Sequence, residues 1–138
     1  MKPLVIDTSV TVKWINQINE ELLTQADQIL VDVRSGLVKL LAPEVSKYEI
    51  GNALLNKKLD LADALDSLGT VYKLPVTFIP ETEELAQSTY QIAEESNITY
   101  YDASFMALAQ QENAVLVTDN VKHQGKSANI MIVPLKDY

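Results

Sequence analysis

Four acidic residues, Asp7, Glu49, Asp102 and Asp119, stand where an α/β fold would carry each of them to one edge of a sheet. Two of them end apolar runs. Asp7 follows Leu4-Val5-Ile6, and Asp119 follows Val115-Leu116-Val117-Thr118. Ligands of open α/β sheets bind outside the carboxyl ends of the strands, so carboxylates at two such ends are expected to be neighbours in space. Glu49 and Asp102 fall on predicted helices between those two strands. A cluster of this kind can hold a cation. The chain has no cysteine and one histidine, which removes thiolate chemistry, disulfides and Cys/His zinc sites. Oxygen is the donor that remains, and it suits Mg²⁺ or Mn²⁺.

The elements that must position these acids follow from periodicity. Short apolar strands alternate with helical spacing, the pattern of a parallel sheet covered by helices. Leu22, Leu23, Ala26, Ile29, Leu30 and Val33 predict a helix that Gly36 ends. A strand is expected over Leu37 to Ala42, and Pro43 fits the first turn of a helix through Val45, Ile50 and Leu54. Leu61 to Val71 reads as helix, Val76 to Ile79 as strand, and Leu85 to Ala93 as helix. Tyr101 to Glu112 is helical, and Ile130 to Val133 makes a last short strand.

At 138 residues the chain has the size of one ordinary domain, which buries about two-thirds of its unfolded surface and needs no metal or disulfide as a staple. A metal here would be functional. The net charge of −8 speaks against general affinity for nucleic acid, which rests on Lys and Arg. The acids themselves supply part of that excess, and bound divalent ions would reverse the local sign. No basic segment precedes a long apolar run, and no stretch reaches bilayer length. A cytoplasmic protein with no membrane association is expected.

Each acid also has a local explanation. Asp7, with Thr8 and Ser9, would cap the helix after the strand. Glu49 would be a solvated helix residue. Thr99 to Asp102 matches a capping box, in which the fourth residue returns a hydrogen bond to the cap. Asp119-Asn120 would make a plain turn. Local roles do not explain why two buried strands both stop at an aspartate while a helical glutamate and a further aspartate fall between them.

The order of these segments resembles the PIN domains, and among them the VapC-type toxins of toxin–antitoxin pairs. The residues that carry the resemblance are Val5-Ile6-Asp7-Thr8-Ser9-Val10, Lys13-Trp14, Pro43-Glu44-Val45, Tyr48-Glu49-Ile50-Gly51-Asn52-Ala53-Leu54, Tyr101-Asp102-Ala103 with Ala107-Leu108-Ala109, and Leu116-Val117-Thr118-Asp119. It implies an α/β fold of three layers, a central mostly parallel sheet of four to five short strands flanked by helices, as a single domain over 1–138. The activity implied is that of an endoribonuclease whose acids hold one or two Mg²⁺ or Mn²⁺ ions. Such ions lower the pKa of an attacking water and offset charge on the phosphorane-like oxygens. Without metal the cluster repels itself, which should raise at least one carboxyl pKa.

Site roles carried over from the resemblance make Asp7, Glu49, Asp102 and Asp119 the catalytic acids and metal ligands. Ser9 and Thr118 would orient them by hydroxyl hydrogen bonds. The fourth position departs from the family pattern. Family members commonly read Thr-x-Asp after this strand, and strict alignment of Thr118-Asp119-Asn120 puts Asn120 at the acidic place. Either Asp119 supplies the carboxylate from one residue earlier, or Asn120 is a neutral oxygen donor. Lys13, Lys122 and Lys126 follow the Asp7 and Asp119 strands and are candidates for RNA phosphate contacts. Trp14 reads as core rather than as a base-stacking residue.

The resemblance also implies a homodimer and a cognate antitoxin whose tail crosses the active-site groove, with apolar walls from the helices Asn19 to Gly36 and Asp60 to Lys73. Two other classes stay open. A PIN-like fold without catalysis would be a binding module, and Asn120 supports it. A phosphoacceptor receiver domain also uses aspartates at strand ends with Mg²⁺. It needs adjacent acids after the first strand and a central aspartate, whereas Asp7 has no acidic neighbour and the third strand ends in Ile79-Pro80.

Overall fold

Strands β1 (Lys2–Ile6), β2 (Val38–Pro43), β3 (Val76–Ile79), β4 (Val115–Thr118) and β5 (Ile132–Pro134) form one sheet in the computed structural model, which describes residues 1–121 and 129–138. The order is β3-β2-β1-β4-β5, and each adjacent pair is parallel. The expectation of a mostly parallel sheet of four to five strands is met by five strands, all parallel.

Parallel strands need crossovers, and helices supply them. Helices α1 (Thr8–Ile15) and α2 (Leu23–Arg34) join β1 to β2, and α3 (Ser46–Asn56) and α4 (Leu61–Val71) join β2 to β3. Helices α5 (Glu83–Ser96) and α6 (Tyr100–Gln111) then return the chain to β4, on the other side of β1. The direction of winding therefore reverses between β1 and β4. Asp7 and Thr118 sit at that switch point, where α/β sheets bind ligands.

Successive side chains of a strand face opposite ways, and the core divides accordingly. Leu4, Ile6, Leu40, Val115 and Val117 pack with Trp14, Ala26, Ile29 and Leu135 on one face. Val5, Leu41 and Leu116 pack with Leu85, Ile92 and Phe105 on the other. Covered on both sides, the central strands read as unbroken apolar runs. Helix α6 buries Ala103 through Ala109 without interruption, as expected of a helix sunk in the core. Phe105 is fully buried, which alone contributes about 1.5–3 kcal/mol. Asp102 therefore stands on the first turn of a firmly seated helix.

Gly36 ends α2 as expected. Its φ is 74°, its N–H donates to the Val33 carbonyl at 3.0 Å, and Leu37 N–H donates to Asp32 at 2.9 Å. This is a Schellman closure, which favours glycine. Two expectations are corrected. Pro43 is not in the first turn of a helix: it is the last residue of β2, paired with Ile79, and its carbonyl accepts from Ser46 Oγ at 2.7 Å as α3 begins. A terminal strand position tolerates proline because little of the ladder depends on its missing N–H. The last strand begins at Ile132, two residues later than its apolar run suggests. Among the described residues, no helix is long and apolar enough to cross a membrane.

Candidate metal centre

Asp7 leaves β1 as its backbone turns into α1, with φ −71° and ψ 153°, and its carboxylate makes no capping hydrogen bond to that helix. The side chain is put to another use. Ser9 Oγ and Thr118 Oγ1 each donate to Oδ2 at 2.8 Å. Each hydroxyl is itself oriented from β4's exit: Asp119 N–H donates to Ser9 Oγ at 3.0 Å, and Asn120 N–H donates to Thr118 Oγ1 at 3.0 Å. Two backbone amides thus act through two hydroxyls on one carboxylate oxygen, and Oδ1 is spared by both. Asp7 is only 8% exposed and Thr118 is fully buried, so the carboxylate has one orientation rather than a range of them.

Glu49 reaches the same place from α3. Thr8 Oγ1 donates to its Oε1 at 3.1 Å, which ties α1 to α3 beside Asp7. Thr8 is a site residue that sequence reasoning passed over. Its signal was the second place in Asp7-Thr8-Ser9, read only as a possible cap. Asp102 enters from α6. Its N–H donates to Thr99 Oγ1 at 3.0 Å, one half of a capping box. Among the described residues no bond returns from the Asp102 carboxylate to Thr99, which leaves that carboxylate available.

The charge of Asp102 acts on the other two acids. Burial pushes the Asp7 carboxyl above its ordinary range, the Ser9 and Thr118 hydrogen bonds pull it back in part, and the Asp102 charge raises it further. Burial also raises Glu49; the Thr8 hydrogen bond opposes this, and the charges of Asp7 and Asp102 add to it. Like charges disfavour one another's ionisation. Such mutual repulsion, with no thiolate or imidazole among these three groups, is the situation that a hard divalent cation relieves. Among the described residues no three acids close to the spacing that would grip an ion together.

The fourth acid is differently engaged. Asp119 Oδ2 lies 3.0 Å from Lys13 Nζ. The same ammonium lies 3.1 Å from Glu20 Oε1 and donates to the Glu21 carbonyl at 2.8 Å. Lys13 is 3% exposed, and this corrects its expected role. A buried ammonium with three acceptors does not reach out to phosphates; it ties the α1–α2 connection to the exit of β4. Lys57 completes the network at 2.7 Å from Glu20 Oε2. No spacing signal pointed to Glu20, which meets Lys13 across a loop. Asn120 is exposed beside Asp119. Lys122 and Lys126 lie outside the described residues. Trp14 is core, as expected, with its indole N–H donating to the Ala26 carbonyl at 2.8 Å.

Known proteins bear on this geometry. The family model described as "PIN domain" matches residues 4–126. No curated protein matches the sequence. Among solved structures, VapBC2 from Rickettsia felis, bound to a promoter DNA fragment, is similar at 16% identity with a TM-score of 0.72, covering 96% of this chain and 98% of that one. A toxin–antitoxin complex from Klebsiella pneumoniae is similar at 15% identity with a TM-score of 0.70, covering 98% and 99%. VapC20 from Mycobacterium tuberculosis, a toxin that cleaves the sarcin-ricin loop, is similar at 13% identity with a TM-score of 0.66, covering 88% and 93%. At such identities the likeness is one of fold, and it agrees with the family match across nearly the whole length: this chain belongs to the PIN domain family.

Proposed function

We propose that this chain is a metal-dependent endoribonuclease and the toxin of a VapBC-type toxin–antitoxin pair. The observation that carries the reading is the seating of Asp7 at the switch point, held by Ser9 and Thr118, with Glu49 tied to the adjacent Thr8 and Asp102 near enough for its charge to act on both. These three would hold Mg²⁺ or Mn²⁺, as one or two ions. Asp119 and Asn120 stand at the fourth position, with one Asp119 oxygen already drawn onto Lys13. When bound, a divalent ion supplies the positive charge that makes an attacking water acidic and that offsets charge gathering on the phosphodiester oxygens.

The chain's own groups prepare for this. Ser9 and Thr118 fix Asp7 by holding Oδ2, so Oδ1 is presented without rotation. Thr8 does the same for Glu49 from the adjacent residue. The depth of α6 in the core holds the backbone of Asp102 in place. Preorganised groups cost little reorganisation during reaction, which is how such sites gain rate.

The toxin role draws support from fold likeness to toxin–antitoxin complexes and from an apolar cleft of about 320 Å³ between α3 and α4, lined by Leu54, Leu55, Leu59 and Leu68. Leu61 and Leu65 of α4 are exposed beside it, at 73% and 55%. Exposed apolar surface of this kind marks protein interaction sites. We assign it to an antitoxin segment, with the toxin acting in the cytoplasm as a homodimer of single-domain chains.

The test is cleavage of a labelled structured RNA with Mg²⁺, Mn²⁺ or EDTA, beside an Asp7→Asn protein purified identically. Metal-dependent cleavage lost in the variant is expected. A second reading, a PIN fold that binds without cutting, is favoured by the Lys13–Asp119 pair and the neutral Asn120. Mn²⁺ binding with no cleavage, from protein shown free of antitoxin, would select it.

A further inference from the structure

A second pocket, of about 320 Å³, opens at the same end of the sheet as the acids. That is large enough for a small ligand. Its floor is apolar, made by Pro43 at the end of β2, Ile79 at the end of β3, Val45 and Leu85. Tyr100 and Tyr101, the two residues before Asp102, form one wall. The Tyr100 hydroxyl donates to the Glu81 carboxylate, which holds its ring in place. Tyr101 is 55% exposed, a large aromatic residue with little of the core to explain it. Glu44 and Glu81 also line the pocket; Oε1 of the first pairs with Lys47 Nζ at 2.9 Å and Oε1 of the second accepts from Tyr100, so the other oxygen of each is the acceptor for a ligand.

We propose that this pocket is a nucleobase subsite: it takes one base of the RNA substrate, stacked on Tyr101, close to the bond that is cut, and favours bases bearing an exocyclic amino group over uracil. The inference rests on the ribonuclease reading and names where its sequence preference arises. Neighbouring strands lie about 4.8 Å apart, so the ends of β2 and β3 stand roughly 5–10 Å from the end of β1, within reach of a nucleotide neighbouring the one at the acids. Unpaired RNA bases are recognised by stacking on aromatic rings with hydrogen bonds to their edges. Carboxylates accept from the amino group of cytosine, and uracil has no such group.

The test has two arms on the full chain. In the first, cytidine, guanosine and uridine monophosphates are titrated in EDTA while the methyl resonances of Val45, Ile79 and Leu85 are followed. Saturable shifts with CMP and GMP, at least about fivefold weaker with UMP and lost in Tyr101→Ala, are expected on the scale of one lost base stack. Tyr101→Phe should retain them. In the second arm, oligonucleotides varied at each position within three nucleotides of the cut are cleaved with Mn²⁺. Tyr101→Ala should reduce the wild-type base preference to within about twofold, through KM for the favoured base, while Tyr101→Phe keeps it. No nucleotide-dependent shift overturns the subsite. So do shifts that follow protein concentration instead, which would place a second copy in the pocket, and a preference unchanged in Tyr101→Ala. Methyl shifts without RNA cleavage would sink the ribonuclease reading and leave the pocket standing as a base-binding site.

Discussion

Asp7 and Asp119 each follow a buried parallel strand at the same end of the sheet, yet their surroundings make them different kinds of acid. Asp7 is nearly buried and is met by neutral donors, the Ser9 and Thr118 hydroxyls and the Thr8 backbone, which orient a carboxylate without neutralising it. Asp119 has 35% of its side chain exposed and is met by a lysine, which does neutralise it. A strand end therefore brings an acid to the right edge but does not decide what it does there. The partners decide: an unpaired buried carboxylate needs a cation, and a paired one already has it.

The widest test of this contrast is loss of charge at the two aspartates. Asp7→Asn should reduce metal-dependent RNA cleavage by at least about a thousandfold, the scale of losing a group that holds the catalytic ion. Asp119→Asn should reduce it by less than about tenfold, as expected of an acid whose charge is spent on Lys13. Initial rates on one RNA, at matched metal occupancy, would check both. Equal losses would make Asp119 a ligand like Asp7 and break the distinction.

What the sequence made legible follows the same division. Leu4 to Ile6 and Val115 to Val117 announce central strands because burial on both faces leaves no polar alternation, and such runs end where the chain leaves the sheet. Asp7 and Asp119 stand out for that reason; Glu49 and Asp102 stand out only as acids on the predicted helices between those strands, and the family resemblance supplies their expected roles. The pairing of Lys13 with Asp119 and Glu20 was not legible. It depends on how the loop after α1 folds back toward β4, a tertiary contact with no period or spacing to betray it. A lysine after an acidic strand end looks like a phosphate contact until its burial is known. Pro43 misled because proline suits both a helix start and a strand end, and the strand pairing with Ile79 settled which.

A second prediction turns on the lysine. Lys13→Met should lower unfolding free energy by about 1–3 kcal/mol, because it leaves Asp119 and the Glu21 carbonyl without their donor and Glu20 with Lys57 alone. Adding Asp119→Asn should recover part of the loss by removing the charge left without a partner. Urea unfolding of both variants in EDTA would measure this, and the same Lys13→Met protein should keep its Mn²⁺ affinity within about tenfold. A large loss of affinity without loss of stability would tie Lys13 to the ion rather than to the fold.

The hydroxyls on the other side of the comparison have smaller, sharper effects. Thr118→Val keeps the shape of a fully buried side chain and removes one of the two donors to Asp7 Oδ2. Mn²⁺ affinity should fall about tenfold, the usual cost of losing an outer partner of a ligand. Titration calorimetry would show it, with Ser9→Ala falling by a similar or smaller factor.

The smallest effect is one of sign. The Asp7 and Glu49 carboxyls lie above their ordinary range in the metal-free protein, chiefly through burial. Between the ordinary carboxylate pKa and these raised values the folded chain binds more protons than the unfolded one, so stability falls as pH rises through that window. Below the window the penalty is absent; above it the penalty is fully present. Asp7→Asn removes one of the two titrating groups and relieves the other of part of its repulsion. The variant should therefore melt at a higher temperature than wild type at pH 7 in EDTA, and the gap should close as pH falls to about 4, the ordinary carboxylate range. Saturating Mn²⁺ should close it from the other direction by stabilising wild type alone. Asp119→Asn, whose native carboxylate is paired with a buried ammonium, should show the opposite sign at pH 7, because it takes from Lys13 one of its two carboxylate partners. Melting curves of the three proteins at two pH values, with and without Mn²⁺, separate an acid held in waiting for a cation from one already provided with it.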